Sequence, residues 1–587
     1  MALPKDLEVP FTQFACIGTG FSGIALGATI QRWYNIPTSS IQFFDSQPCV
    51  GGTWTINQYP GAACDVPSAL YSFSFERNPN WTRFLPPHDE LRAYLTRVAE
   101  KYNLIPRMKF NAKVTKAEWI PDRTNPRWRL TTLDLPTNTT SHHDCQFLFS
   151  GSGQFNSPRP LDVPGIESFQ GPVIHSARWD HSIPLKDKKV VIFGNGCTAA
   201  QIVPSILPET AHLTQIVRSK HWIYPPVDAK VSPLTKKLLA STPGATWLQR
   251  FIVYYLADKD WVGFLLTPSG AKFRQKRKEM AERYMKTTAP EKYHALLVPE
   301  FEIGCKRRVF DSGYLECLHS DKITLTNQTP TAILPNGVEM AGGSTIEADV
   351  LVLANGFETN TPTTLLPVHG IAPSTLQSHW SSDYPGPEAY NCTSLHNFPN
   401  FFLLWGPNTA TGHTSAVMAI ENAVNFALRV IKPCLEGKCS VVDVTEQAEK
   451  EYVERMQEAL QKTVFTSETC DSWYTARDKK TGRMVWNGMT YPWSQARYWW
   501  DCLWVRRRDF VYSGPATGRS VIVKKRRSGL WFAAFAVMAL GGLLAWVDRN
   551  PDSRLALALA GSRFGVVLPV LRTCGLGLLG RKGLNWR

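Results

Sequence analysis

Two glycine-rich loops constrain this chain more than any other feature. The first, Gly18-Thr-Gly20-Phe-Ser-Gly23, follows the apolar run Phe14–Ile17 and precedes Ile24–Ile30, which has helical spacing. Strand, tight turn and helix are the context in which such a loop cradles a dinucleotide. Gly18 permits the turn, Gly20 lets the backbone approach a pyrophosphate, and Gly23 lets helix and strand pack closely. The helix then presents its unpaired amides to the phosphates. About twenty residues on, the predicted strand Ile41–Phe44 ends in Asp45, a carboxylate placed to accept the hydroxyls of an adenosine ribose.

The second loop, Gly194-Asn-Gly196-Cys-Thr198-Ala199, follows the predicted strand Lys189–Phe193 and opens a helix through Gln201. Ala199 is small enough for the third position. The next strand, Leu213–Val217, ends in Arg218-Ser219-Lys220 rather than an acid. A cation there suits the 2′-phosphate of NADPH, whereas an acid would suit the free hydroxyl of NADH. The expected fold class is therefore α/β, with two Rossmann-like dinucleotide-binding domains.

Between the loops lie Gly51-Gly52-Thr53-Trp54, then Tyr59-Pro-Gly-Ala-Ala-Cys64-Asp65, then Tyr71-Ser-Phe-Ser-Phe75, then Phe169-Gln-Gly171-Pro-Val-Ile-His175-Ser176-Ala-Arg-Trp179-Asp180. Glycines let backbone lie against a flat ring system, and Trp54 can wall it. Together these motifs resemble the class B flavoprotein monooxygenases, and FxGxxxHxxxW followed by Asp resembles the Baeyer–Villiger branch. The family usually has Thr where this chain has Ser176. Further on, Gly304-Cys-Lys306-Arg307 is similar to the family's GxKR segment. Asp349–Phe357 is similar to the segment on which the chain returns to the first domain, with Asn355 for the usual Thr.

What the resemblance implies is specific. FAD would be held by Gly18, Gly20, Gly23, Asp45, Gly52, Thr53, Trp54, Asp65, Tyr71 and Val114. NADPH would be held by Gly194, Gly196, Thr198, Ala199, Gln201, Arg218, Ser219 and Lys306. Arg307 would be the catalytic arginine and Asp65 its partner, with no metal. His175 and Trp179 would couple the two sites. NADPH would reduce the flavin, O₂ would add to give a C4a-peroxyflavin, and the peroxide would convert a lipophilic ketone of specialised metabolism into an ester or lactone. Two other readings stay open: an oxygenase of amines or sulfides (or a hydroxylase), and a non-catalytic, membrane-tethered flavoprotein.

The expected domains are 1–153 and 349–515 for FAD, with 154–348 inserted for NADP and carrying a basic helical segment at about 228–300. Residues 516–587 form a basic linker and membrane anchor. Lys524–Arg527 precede the uncharged run Leu530–Val547, with Trp531 and Trp546 near its ends. At about 1.5 Å per residue this run reaches roughly 27 Å, close to a bilayer core. The second apolar stretch, Leu555–Leu579, is interrupted by Arg563, Pro569 and Arg572, which leaves open whether it crosses. The basic flank places the catalytic part on the cytosolic face of the endoplasmic reticulum or a similar membrane.

The net charge of +15 is concentrated toward that tail, and no nucleic-acid motif accompanies it. Met1–Pro10 has no apolar run, so no secretory signal peptide is expected. The 13 cysteines include no CxxC pair, so reduced thiols are expected rather than a disulfide or zinc framework.

Overall fold

The computed structural model describes residues 9–522, except 360–365 and the single positions 468, 471, 479, 517 and 519. The run Leu530–Val547 and the rest of the expected anchor lie outside the described residues. Among the described residues, no helix is long and apolar enough to cross a membrane.

The first domain is built on β1 (Phe11–Ile17), whose residues Phe14, Ala15 and Cys16 are fully buried. Both faces of this strand are covered, which explains its unbroken apolar run. It pairs in parallel with β2 (Ile41–Phe44) and with β6 (Thr139–Ser150), and β2 in turn pairs with β3 (Met108–Lys109). The strands β4 (Ala112–Ile120) and β5 (Arg127–Asp134) form an antiparallel meander with β6. Helix α1 (Phe21–Tyr34) packs on this sheet; its first ten residues are all buried.

The second domain is a five-stranded parallel sheet. Its members are β7 (Val173–His175), β8 (Lys189–Phe193), β9 (His212–Ile216), β10 (Ile323–Thr326) and β11 (Val350–Leu353), in the order β10-β9-β8-β11-β7. Helix α2 (Cys197–Ile206) follows β8. The domain boundary expected at 348/349 therefore falls too early. Strand β11 pairs with β8 and β7 in the second sheet, so the chain leaves this domain only after Leu353. The chain then adds β12 (Val368–His369) beside β4 and β13 (Phe401–Leu403) beside β6, both in the first sheet. The first domain is thus discontinuous, with the second inserted in it.

The segment 228–300 holds α3 (Pro233–Ser241), α4 (Ala245–Asp258) and α5 (Pro268–Thr288). Helix α4 is locked onto the first domain. Arg250 is buried and donates from Nη1 to the carbonyls of Ala69 and Ser72, each at 2.8 Å. Its Nη2 lies 3.6 Å from Glu421 on α6 (Ala416–Val430). At the other end of α4, Asp258 accepts from the amides of Gln495 (2.7 Å) and Ala496 (3.2 Å). These amides open α8 (Gln495–Leu503), which follows α7 (Glu446–Leu460) in the chain. A carboxylate at a helix N-terminus satisfies unpaired donors and the dipole together.

The cysteines depart from expectation. Cys305 and Cys470, 165 residues apart, form a disulfide, while the other described cysteines are free. Their spacing carries no signal, because only the folded chain brings the Gly304–Arg308 loop against the segment near residue 470.

Candidate active site

The first loop forms as its glycines require. Gly18 has φ +105°, and a Cβ there would lie 2.7 Å from the Gly151 carbonyl oxygen. Gly20 and Gly52 come from different loops and meet: a Cβ on Gly52, whose φ is +54°, would lie 2.9 Å from Gly20 Cα. Such a bare backbone cradle fits a pyrophosphate. Helix α1 starts at Gly20 without a side-chain cap, and α2 starts at Gly196 in the same way. By contrast, α3, α6, α7 and α8 are capped by Ser232, Ser415, Thr445 and Ser494. Uncapped first turns leave amides for phosphates.

Asp45 braces this loop. Its Oδ2 accepts from Thr19 N (2.8 Å) and Thr19 Oγ1 (2.7 Å), and its Oδ1 accepts from Gln47 N (2.8 Å). Thr53 and buried Trp54 open a short helical turn after Gly52. The Trp54 ring meets Tyr71 edge-on at 5.6 Å, and Tyr71 meets Phe21 at 5.1 Å. Val114 lies on β4, its side chain in an apolar cluster with Phe44 and Leu148; two residues before it, the Ala112 amide donates to the Asp45 carbonyl (2.8 Å).

In the second loop, Gly194 has φ +114°, and a Cβ there would lie 2.4 Å from the Ala354 carbonyl oxygen. Gly23 and Ala199 serve the same packing role in the two loops; Ala199 is fully buried. Gln201 ties the domains: its Oε1 accepts from Tyr59 OH (2.9 Å) and its Nε2 donates to the Ala63 carbonyl (3.1 Å). Gly61 makes this approach possible, because a Cβ there would lie 2.3 Å from Ser205 Oγ. Thr198, on the same helix as Gln201, also lies beside Tyr59. Arg218 is exposed just beyond β9, and Ser219 Oγ lies 3.4 Å from His221 Nε2.

Asp65 and Arg307 meet as a two-bonded pair. Arg307 donates from Nε to Asp65 Oδ2 (2.5 Å) and from Nη2 to Oδ1 (2.6 Å). Their side chains are 32% and 28% exposed for Arg307 and Asp65, so the pair is reachable from a cavity. Burial would raise the Asp65 pKa, but the Arg307 guanidinium outweighs it and holds the carboxyl below its usual range. Burial likewise opposes the charge on Arg307, and Asp65 more than restores it. Arg308 is drawn away to Asp260 (2.8 Å), which also accepts from Arg277 (3.1 Å). Lys306 Nζ lies 4.9 Å from the centre of the Phe301 ring.

Two cavities meet at Arg307. The first also reaches Asp65 and has apolar walls that include Leu70, Phe84, Leu85 and Val253. The second is bounded by Trp222, Phe264, Phe465, Lys306 and Tyr474.

His175 and Trp179 do not line either cavity. His175 accepts from Ala177 N at Nδ1 (3.0 Å), which leaves Nε2–H to donate to the Gly356 carbonyl (3.2 Å). This ring therefore clasps the end of the first crossing to the start of the return crossing. Burial lowers its pKa and keeps it neutral. A Cβ on Gly171 would lie 2.2 Å from the Asp349 carbonyl oxygen, and Asp180 closes a turn by accepting from Ser182 N and Oγ.

Sequence reasoning did not find Tyr474, His221 or His413. Tyr474 lies against Arg307, and burial pushes its phenol up to about 12. Burial, helped by the Lys306 charge, lowers His221 to about 4. His413 reaches Asp258 Oδ1 at 2.9 Å across the boundary between insertion and first domain. All three gain their meaning only from long-range contacts.

A discontinuous dinucleotide fold enclosing a second one, with a guanidinium–carboxylate pair where two cavities join, is the arrangement of an enzyme with two dinucleotide sites. Residues 64–250 match the flavin-binding monooxygenase-like family, and residues 16–86 match the NAD(P)-binding Rossmann-like domain. A Baeyer–Villiger monooxygenase of Pseudomonas aeruginosa is 34% identical over 489 residues, covering 83% of this chain and 90% of the relative. One of Streptomyces coelicolor is 32% identical over 479 residues, covering 81% and 89%. Among solved structures, cyclohexanone monooxygenase from Rhodococcus sp. Phi1 bound to NADP⁺ superposes with a TM-score of 0.75 at 21% identity, covering 86% of this chain and 100% of that one. The chain belongs to the Baeyer–Villiger monooxygenases. It is a flavin-dependent monooxygenase with an NAD(P)-binding Rossmann-like domain.

Proposed function

We propose that this enzyme inserts one oxygen atom beside the carbonyl of a lipophilic ketone, giving an ester or lactone. The observation that carries this reading is the Arg307–Asp65 pair set where the two cavities join. Bound FAD and NADPH supply the redox and oxygen-activating chemistry. The first cofactor would rest on Gly18, Gly20 and Gly52, walled by Trp54 and Tyr71. The second would rest on Gly194 and Gly196, with Arg218 and Lys306 supplying positive charge to its phosphates.

Arg307 contributes a cation that does not titrate near neutral pH, suited to the oxyanion formed when a carbonyl is attacked. Two bonds from Asp65 fix its plane and leave Nη1 outside the pair. Tyr474 keeps its proton and can donate beside it. The apolar side of the first cavity, formed by Leu70, Phe84, Leu85 and Val253, favours a lipophilic substrate. The uncharged run Leu530–Val547 with its basic flank supports a membrane anchor, the catalytic part facing the cytosol, where NADPH is available. Such an anchor suits ketones of specialised metabolism that partition into lipid.

A panel of cyclic and long-chain ketones, matched with amines and sulfides of similar size, tests the assignment. Esters or lactones should dominate the products by at least about tenfold in kcat/KM, a transition-state difference of about 1.4 kcal/mol. N-oxides or sulfoxides as the main products would refute it.

A further inference from the structure

A second cluster of ionisable side chains lies apart from both cavities. His379, in the helical segment Leu376–Asp383, points Nε2 at Glu388 Oε1 (2.9 Å) and at Glu449 Oε1 (3.3 Å). Glu449 belongs to the first turn of α7. One donor atom from each of the three side chains lies within 4.8 Å of the others. Both glutamates are 1% exposed and His379 is 5% exposed.

His379 and Glu449 are each held from behind in a way that turns one atom toward the centre. The outer nitrogen of His379, Nδ1, lies 3.3 Å from Asp383 Oδ2. Glu449 Oε2 accepts from the His396 amide (3.1 Å), leaving Oε1 inward. Glu388 Oε2 is buried and has no hydrogen-bond partner among the described residues. Asp443, on the neighbouring strand Val441–Val444, shows the same pattern. Its Oδ2 accepts from the Asn397 amide (3.1 Å), while its buried Oδ1 has no partner among the described residues.

The chemistry of the cluster gives the second argument: two buried carboxylates share one imidazole nitrogen, and buried charged groups are either paired or coordinate a metal. A carboxylate behind the outer nitrogen of a histidine is the usual support of a metal-bound imidazole. One imidazole nitrogen with carboxylate oxygens suits Zn²⁺, whose bonds of about 2.0–2.1 Å need donors roughly 3.3 Å apart.

We propose that His379, Glu388 and Glu449 form a binding site for a divalent transition-metal cation, best suited to Zn²⁺, that pins the 376–388 segment to α7. The site is structural and takes no part in oxygenation.

Full-length, FAD-loaded enzyme stripped with a chelator and titrated with Zn²⁺ or Co²⁺ tests this. The expected result is about one ion bound per FAD. Zn²⁺ should raise the melting temperature by roughly 5 °C. Co²⁺ should give visible bands of a low-coordinate site, and the zinc X-ray absorption edge should show only nitrogen and oxygen neighbours. Glu388→Gln and Glu449→Gln should each weaken Co²⁺ binding at least about tenfold while retaining FAD. Wild-type enzyme that binds neither ion, a sulfur shell near 2.3 Å, or variants that keep full affinity would each overturn the proposal. Should the variants fail to load FAD, the wild-type stoichiometry and absorption edge still decide it.

Discussion

Arg307→Ala should leave an enzyme that still loads FAD and oxidises NADPH but forms ester at least about a hundredfold more slowly. Loss of a donor to a developing oxyanion typically costs a factor of about 10²–10³ in kcat. Arg307 is positioned to be that donor, because Asp65 holds Nε and Nη2 and leaves Nη1 outside the pair. The cradle at Gly18, Gly20 and Gly52 belongs to a different sheet and should not notice the change. Arg307→Lys should recover only part of the rate, since an ammonium keeps the charge but cannot match both oxygens of Asp65. The check is ester formation against flavin content. NADPH consumption alone does not suffice, because it can continue with release of peroxide. Full ester formation by Arg307→Ala would remove the residue from the mechanism.

The second large effect separates the cofactors. Gly194→Ala places a Cβ 2.4 Å from the Ala354 carbonyl oxygen at φ +114°, which an L side chain rarely adopts. Strain of this kind costs about 1–3 kcal/mol, and relief requires the loop to move from its place beneath the nucleotide. NADPH affinity should fall roughly 30- to 150-fold, equivalent to about 2–3 kcal/mol, with FAD content unchanged. Gly52→Ala should do the reverse, losing FAD first, because its Cβ would press on Gly20. Titrating NADPH against flavin content in both variants distinguishes these outcomes. Loss of both cofactors together in each variant would mean that the loops are not separate sites.

Local features were the legible ones. The loops at Gly18 and Gly194 could be read because strand, turn and helix are contiguous, and a glycine is required where backbone meets backbone. Asp65 and Arg307 could be paired only through resemblance; 242 residues separate them, and nothing local announces their contact. The strand Val350–Leu353 was legible as a strand but not as a member of the second sheet. A buried parallel strand has the same apolar composition in either sheet. The Cys305–Cys470 bond, the Tyr474 contact and the His413–Asp258 bridge are products of packing between distant segments. Val114 was carried over by family pattern, and its side chain packs in the apolar cluster of β4 beside Phe44. Asp45, expected at a ribose, braces its own loop and keeps further acceptor capacity on Oδ1.

The most direct test of the central claim uses ¹⁸O₂ with the FAD-loaded enzyme, NADPH and a lipophilic ketone, with the label located by mass spectrometry of the product. Insertion beside the carbonyl predicts one ¹⁸O in the ring or chain ester oxygen, none in the carbonyl oxygen, and strongly reduced labelled product with Arg307→Ala. Label in a hydroxyl, an N-oxide or a sulfoxide, or only in released peroxide, would contradict the account.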